Sequence, residues 1–542
     1  MPDKPGWLRW AVAGLAVACC LFAVTRAPAA AQAPDAFAGL SLTSFNAVAA
    51  SVTTLAASGA PRAQAVITAL GERHLYAARS GSALYIRDGS AYLDARTGAA
   101  AQPDPAAIRP VRVNNRIREA VAGALALFGL SAPDPATRLQ AAGAAYDAHD
   151  PSALPVLDRA LAHEPDASVA HRLREARAAA LLSGSVQATD AGAVQARIDA
   201  VRTLAASGGL PARAILAGLH DQPAAVQAAV TQALSSIDLR LRLWSIAQDL
   251  FYGLSLGSVL LLAAMGLAIT FGVMGVINMA HGEVMMIGAY TTYLVQQAVS
   301  AAIPALAPVS ILLAIPAAFL VCGAIGVAIE RGLIRFLYGR PLETLLATWG
   351  LSLVLQQAVR SLFGPTNIAV VTPGWLSGAL HWGGLVITLN RLAIMIFAGL
   401  VMAALSLVLR RTPLGLEMRA VTQNRRMAAL MGIRTPRVDA LTFGLGSGVA
   451  GLAGVAISQI DNVSPNLGQG YIIDSFMVVV FGGVGNLWGT LAGAATLGIA
   501  NKILEPVAGA VLGKIVVLVL LILFIQRRPR GMFPLKGRGV ES

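Results

Sequence analysis

The sequence predicts an all-α polytopic membrane domain preceded by an exported domain of short β-hairpins and paired-helix repeats. Three observations lead there. Of 542 residues, 56% are hydrophobic and only 13% charged, where a soluble protein carries about 25% charged residues. The charge is unevenly spread: residues 32–245 hold most of the acids and many bases, whereas 246–526 is a succession of apolar runs. Several of those runs reach the roughly 20 residues a membrane-crossing helix needs.

The start of the chain reads as an export signal, residues 1–31. Lys4 and Arg9 form a basic stretch, Trp10 to Val24 is apolar, and Ala29-Ala30-Ala31 offers a small-residue cleavage site. A first transmembrane helix would show a similar run, but this one is short for spanning. Cys19 and Cys20 are followed by Leu21, Phe22, Ala23 and Val24, which does not suit a lipid-modified cysteine. With the signal removed only Cys322 remains, so no disulfide framework is expected.

Residues 32–115 form a small β-containing region. Ala83–Arg87 and Ala91–Leu93 flank an Asp88-Gly89-Ser90 turn, the pattern of a hairpin. Residues 116–245 turn Ala-, Leu- and Arg-rich, with units beginning at Arg138, Arg172 and Arg197. The first and third units end in acid-and-proline turns, Glu164-Pro165-Asp166 and Asp221-Gln222-Pro223. Paired-helix units of roughly 30–40 residues resemble HEAT-type repeats, which stack because no single pair can bury its apolar face alone. Such a stack serves as a binding surface or as a structural cap. His74, His149, His163, His171 and His220 lack metal-like spacing, so no metal site and no catalytic residue is expected.

The membrane domain occupies 246–530. Candidate spans cover about 246–276, 280–299, 309–330, 342–363, 391–409, 438–460, 471–486, 488–504 and 509–526. The pieces at 471–486 and 488–504 are short and Gly-rich, and one of them suits a re-entrant segment. About eight spans are expected. Residues 410–437 carry seven Arg (410, 411, 419, 425, 426, 434 and 437) against one acid, Glu417. Arg331, Arg335 and Arg340 mark another basic loop. Arg527, Arg528, Arg530, Lys536 and Arg538 lie at the end of the chain, which closes with a tail at 531–542. Loops so enriched stay cytoplasmic, which puts the C-terminus inside and the N-terminal domain in the periplasm. The loop 364–390 has no Asp, Glu, Lys or Arg, as suits the outer side. The net charge of +13 comes mostly from such loops, and no interleaved aromatic and basic surface argues for nucleic acid.

Four features bear on mechanism. Phe271 to Glu283 places Asn278, His281 and Glu283 between two apolar spans, beside Gly272 and Gly275. Polar groups at membrane depth mark function by default, and glycines there permit a broken helix. A plain helix–helix turn would use the same residues. Phe481 to Asn486, with Gly482, Gly483 and Gly485, echoes Phe271 to Gly275 in the other half of the domain. Paired interruptions point to a transport site, while close packing through small residues would need the same glycines. Arg419 to Ile433 reads as one short amphipathic helix stopped by Gly432, with Arg419, Arg425 and Arg426 as its basic side. Its apolar knob of Met427, Leu430 and Met431 suits a partner's groove. Ordinary positive-inside charge is the plainer account. The last feature is an absence: no Gly-x-x-x-x-Gly-Lys-Ser/Thr phosphate loop occurs, so this chain is not expected to bind or split ATP.

These residues carry a resemblance. Residues 250–535 resemble the permeases of branched-chain amino acid ABC importers, most clearly at Gly275–Glu283, Leu430–Ile433 and Phe481–Asn486. The N-terminal extension, with Val113–Arg118 and the helical repeats, resembles the urea-transporter branch of that family. The resemblance implies a transport subunit, not an enzyme, of the bacterial inner membrane. It implies a second, related permease as heterodimer partner, two cytoplasmic ATPases that use ATP, and a periplasmic substrate-binding protein. No cofactor would be held by this chain, whose spans meet membrane lipid. The loop around Arg425 to Gly432 would be the coupling helix touching an ATPase. Urea is the expected cargo, moved by alternating access past Asn278, Gln459 and Asn486, with His281 and Glu283 bracing the broken helix. Branched-chain amino acids or short amides are the alternative, and a passive urea or amide channel the second.

Overall fold

The computed structural model describes residues 37–58, 60–89, 91–184, 191–220, 222–529 and 531–533. The expected signal at 1–31, Arg530, Lys536 and Arg538 lie outside them. The chain divides into two compact units, residues 1–241 and 242–542.

The first unit opens with two helices, α1 (Phe45–Ser58) and α2 (Ala63–Gly71), within the region expected to contain β structure. Five antiparallel strands follow: β1 (Leu75–Ala78), β2 (Leu84–Asp88), β3 (Ala91–Asp94), β4 (Ala100–Ala101) and β5 (Ile108–Pro110), in the order β4-β3-β2-β1-β5. The hairpin legible in the sequence is β2–β3, with Arg87 opposite Tyr92. Six helices complete the unit: α3 (Asn115–Gly129), α4 (Pro135–Ala148), α5 (Leu154–His163), α6 (Ala167–Ser183), α7 (Ala191–Ser207) and α8 (Leu210–Ala217). Asn114, Asp134 and Asp166 start α3, α4 and α6 by accepting from freed backbone N–H groups. Packing runs from neighbour to neighbour, α3 on α4, α4 on α6, α6 on α7 and α7 on α8. Arg138 at the start of α4 grips Glu164 at the end of α5 through two contacts of 2.9 Å. That guanidinium holds the Glu164 carboxyl below the ordinary carboxylate range.

Helix α9 (Ala224–Met274) carries the chain into the second unit. There follow α10 (His281–Ala302), α11 (Ser310–Gly332), α12 (Pro341–Phe363), a hairpin of β6 (Ala379–Trp382) and β7 (Leu385–Thr388), α13 (Leu389–Arg411), α14 (Pro413–Gln423), α15 (Arg425–Leu430), α16 (Thr435–Ile457), α17 (Leu467–Gly482) and α18 (Leu487–Arg527). Among the described residues, five helical stretches are long and apolar enough to cross a membrane: 224–274, 304–336, 389–411, 435–457 and 487–527. That is fewer than the eight expected, for physical reasons. Helices α10 and α12 carry buried polar groups that lower their apolarity, and α17 has only 16 residues. Helix α18 counts once although Gly509 (φ 79°, ψ 163°) breaks it. A Cβ on Gly513 would lie 3.5 Å from the Leu504 side chain, an approach a straight helix forbids at that separation. The chain therefore doubles back at Gly509, and the predicted segments 488–504 and 509–526 are the two arms of this hairpin.

Helices α10, α11 and α16 pack most extensively. Small residues allow it: a Cβ on Gly288 would run into the backbone of Gly451, and one on Gly326 into Ser447. Close backbone approach of this kind is how helices associate where lipid removes the hydrophobic drive.

Candidate functional site

Helix α9 ends at Met274, and Gly275 (φ 68°) turns the chain back. Backbone groups freed by the break find partners nearby. Asn278 Oδ1 accepts from the Ala280 N–H at 3.0 Å, and Thr348 Oγ1 of α12 accepts from the Met279 N–H at 3.2 Å. A ring nitrogen of His281, Nε2, lies 2.9 Å from the Ala263 carbonyl. Ala263 sits about three turns before the end of α9, so α10 begins inside the bundle. Helix α17 begins there too: a Cβ on Gly282 would strike the Gly468 backbone, and one on Gly468 the Gly282 backbone.

Where these two helix starts abut, a polar chain runs from the buried Glu283 and Gln356 to the exposed Gln469. Gln356 Nε2 of α12 donates to Glu283 Oε1 at 2.6 Å, and Gln469 Nε2 of α17 donates to Gln356 Oε1 at 3.3 Å. Neither was foreseen. A signal existed: Thr344, Thr348, Ser352 and Gln356 recur every fourth residue on one buried stripe of α12, the spacing of a helix face. Three atoms of the cluster are buried without partners: Asn278 Nδ2, His281 Nδ1 and Glu283 Oε2. Buried polar groups are nearly always paired, and here three unpaired atoms fall within six residues of one helix start. No group of three or more His, Cys, Asp or Glu able to hold a metal occurs among the described residues.

The second glycine segment behaves differently. Gly272 of α9 does meet it, since a Cβ there would lie 2.6 Å from the Gly485 Cα. The two motifs that echo each other in sequence thus touch. But Gly483 (φ 104°) and Gly485 (φ 81°) form a turn, and the carbonyls just before it are taken up by the end of the chain. The Met532 N–H donates to Phe481 O at 2.9 Å and the Phe533 N–H to Gly482 O at 3.2 Å. Asn486 caps α18, accepting from the N–H groups of Trp488 and Gly489, and its Nδ2 donates to Phe533 O at 3.2 Å. Asn486 is therefore a cap and a tie, apart from Asn278 and Glu283. Gln459 shares no hydrogen bond with them either. Its backbone carbonyl accepts from Asn390 Nδ2 at 2.5 Å, and its own Oε1 is buried without a partner.

The basic loop is two helices, not one. Asn424 ends α14 and starts α15, its Oδ1 accepting from the Met427 N–H at 3.0 Å. Gly432 (φ 89°) follows the stop. Met427, Leu430 and Met431 stand 55%, 81% and 77% exposed, and Arg426 is exposed beside them. Arg419 bonds the Gly415 carbonyl. It lines a cavity of about 460 Å³ together with Gly272, Arg410, Gln423, Asn486 and Trp488. Arg425 instead turns inward to Asp439, which is buried at the start of α16.

A bundle of apolar helices with two interior helix starts and a buried polar junction is a membrane permease. The chain belongs to the family described as the branched-chain amino acid transport system / permease component, whose model matches residues 250–525. It is 34% identical to the high-affinity branched-chain amino acid transport system permease protein BraD of Pseudomonas aeruginosa over 290 residues, 53% of this chain and 94% of that protein. It is 32% identical to the corresponding permease protein LivH of Escherichia coli and 31% identical to that of Salmonella typhimurium, with the same coverage. The urea expectation finds no support among these relatives, which are named for branched-chain amino acids. No solved structure matches the chain.

Proposed function

We propose that this chain is the membrane-spanning permease subunit of an ATP-driven importer of branched-chain amino acids. Family membership together with the buried, incompletely paired junction of Asn278, His281 and Glu283 carries the reading. The subunit sits in the bacterial inner membrane, with its arginine-rich loops and C-terminus cytoplasmic and its N-terminal unit, a HEAT-like stack, in the periplasm. It pairs with a related permease, takes cargo from a periplasmic binding protein and draws energy from two cytoplasmic ATPases. The knob of Met427, Leu430 and Met431 docks into an ATPase groove, and movement of that loop opens the bundle alternately to either side. Glu283 Oε2 and Asn278 Nδ2 are the groups that meet an ammonium or amide cargo.

A second reading is urea, which rests on the resemblance carried by the N-terminal extension. The match to BraD covers 53% of this chain and 94% of that protein, which leaves the first unit outside it. Uptake of labelled leucine and of labelled urea by cells carrying the complete importer separates the two. Leucine uptake that requires ATP is expected. Urea uptake without leucine uptake would transfer the proposal to the second reading, and uptake of neither would remove the importer assignment.

A further inference from the structure

The arginine that the sequence offers as a docking residue is occupied elsewhere. Arg425 Nη1 donates to Asp439 Oδ1 at 3.2 Å, and Nη2 bonds the other carboxylate oxygen. Its guanidinium carbon stands 4.4 Å from the centre of the Tyr338 ring. The Tyr338 hydroxyl donates to Glu330 Oε1 at 3.1 Å. Burial, with the Asp439 and Glu330 carboxylates close by, pushes that hydroxyl well above its ordinary value, so it stays a neutral donor. Asp439 and Glu330 are both almost fully buried. Four side chains from α15, α16, α11 and the segment joining α11 to α12 thus form one connected cluster. Apart from Ala428, no residue of α15 is buried, so Arg425 is its main polar hold on the bundle.

We infer that Arg425 is the internal strut of the coupling loop, a positioning residue that hands displacement of α15 to α16 through Asp439 and to α11 through Tyr338 and Glu330. The inference rests on the proposed role of that loop. The geometry suits arginine. A planar guanidinium can hold a carboxylate with two nitrogens while stacking on an aromatic face, which an ammonium cannot. The route continues inward, because α11 and α16 both pack on α10, the helix that carries Glu283. A rigid, paired cluster at the root of a short exposed helix converts a push on Leu430 and Met431 into movement of the helices around the polar junction. The division of labour follows: the apolar knob binds, and Arg425 transmits.

The test uses the assembled importer with Arg425→Gln, Asp439→Asn, and both together. Three readouts are taken: co-purification of the ATPases, ATP turnover, and uptake. Each single variant is expected to retain the ATPases at the wild-type level while uptake per ATP split falls roughly tenfold, the size of effect seen for residues that couple sites. Leu430→Asp, by contrast, releases the ATPases. The single Arg425→Gln change leaves Asp439 buried and unpaired, which can lower the amount of subunit in the membrane. The double variant removes both partners and should restore that amount without restoring coupling. Loss of the ATPases in Arg425→Gln would make Arg425 a docking residue and overturn the inference, as would unchanged uptake per ATP in the double variant. If the wild-type assembly itself shows no ATP-dependent uptake, the proposed function has failed, and not the strut.

Discussion

Two glycine-interrupted segments face each other in the membrane unit, and they solve the same problem in opposite ways. Both break a helix and free backbone groups that lipid cannot satisfy. At Phe481–Asn486 the freed groups find partners: Asn486 Oδ1 accepts from N–H groups at the start of α18, and the Met532 and Phe533 N–H groups donate to the carbonyls of Phe481 and Gly482. At Gly275–Glu283 the backbone is served by Asn278 and Thr348, yet Asn278 Nδ2, His281 Nδ1 and Glu283 Oε2 stay buried and unpaired. An unsatisfied buried polar group costs about 1–3 kcal/mol, so three within six residues set this break apart from the other. Likeness in sequence thus hides a division between a finished joint and an open one.

The sharpest way to break this comparison is Glu283→Gln. If Glu283 Oε2 awaits a cargo N–H, neutralising it removes a charge-assisted hydrogen bond, and leucine uptake by the complete importer should fall roughly 10- to 100-fold. The Gln356 contact can survive through the remaining carbonyl oxygen, so the subunit should reach the membrane in normal amount. Wild-type uptake by this variant would make Glu283 a structural brace and leave the two breaks equivalent.

Next in size is Gly272→Leu, which tests whether the two segments abut. A side chain there meets the Gly485 backbone, and overpacking of this kind costs about 1–3 kcal/mol. Melting of the purified chain in detergent should fall by several degrees. Gly272→Ala should show a smaller loss of the same sign, since its Cβ alone already lies 2.6 Å from Gly485 Cα. Unaltered melting in both would separate the segments.

What was legible from the residues follows from this difference. Apolar runs give helices directly, since length and hydropathy are local properties, and each expected span overlaps a helix, though 246–276, 438–460 and 471–486 run past the observed ends. The touching of Gly272 and Gly485 was hinted by their shared pattern alone. The reversal at Gly509 was readable only as a gap between two apolar runs. The partner of Glu283 was not foreseen, because Gln356 lies far along the chain and only tertiary folding brings the two together. The trace of Gln356 was the spacing of polar residues at every fourth position on α12, which a search for glycine breaks passes over. The pairing of Arg425 was not legible either. Its charge fits a basic loop equally well whether it faces outward or a buried Asp439, and a list of loop charges does not give direction.

The smallest effect falls at Asn486, and it decides whether the finished joint is only a joint. Replacing a helix-capping Asn by Ala costs about 1 kcal/mol, with a further loss where Nδ2 no longer holds Phe533 O. Asn486→Ala should therefore lower the melting temperature slightly while uptake per assembled importer stays at the wild-type level. Asn486 also borders the cavity shared with Arg419 and Gly272, so a route for cargo past it has a definite signature: uptake would drop as steeply as in Glu283→Gln. That outcome would place both breaks on the translocation path and dissolve the distinction between them. A stability loss without a transport loss keeps Asn486 as the cap that lets α18 start against α17, and confines the open chemistry to the junction of α10, α12 and α17.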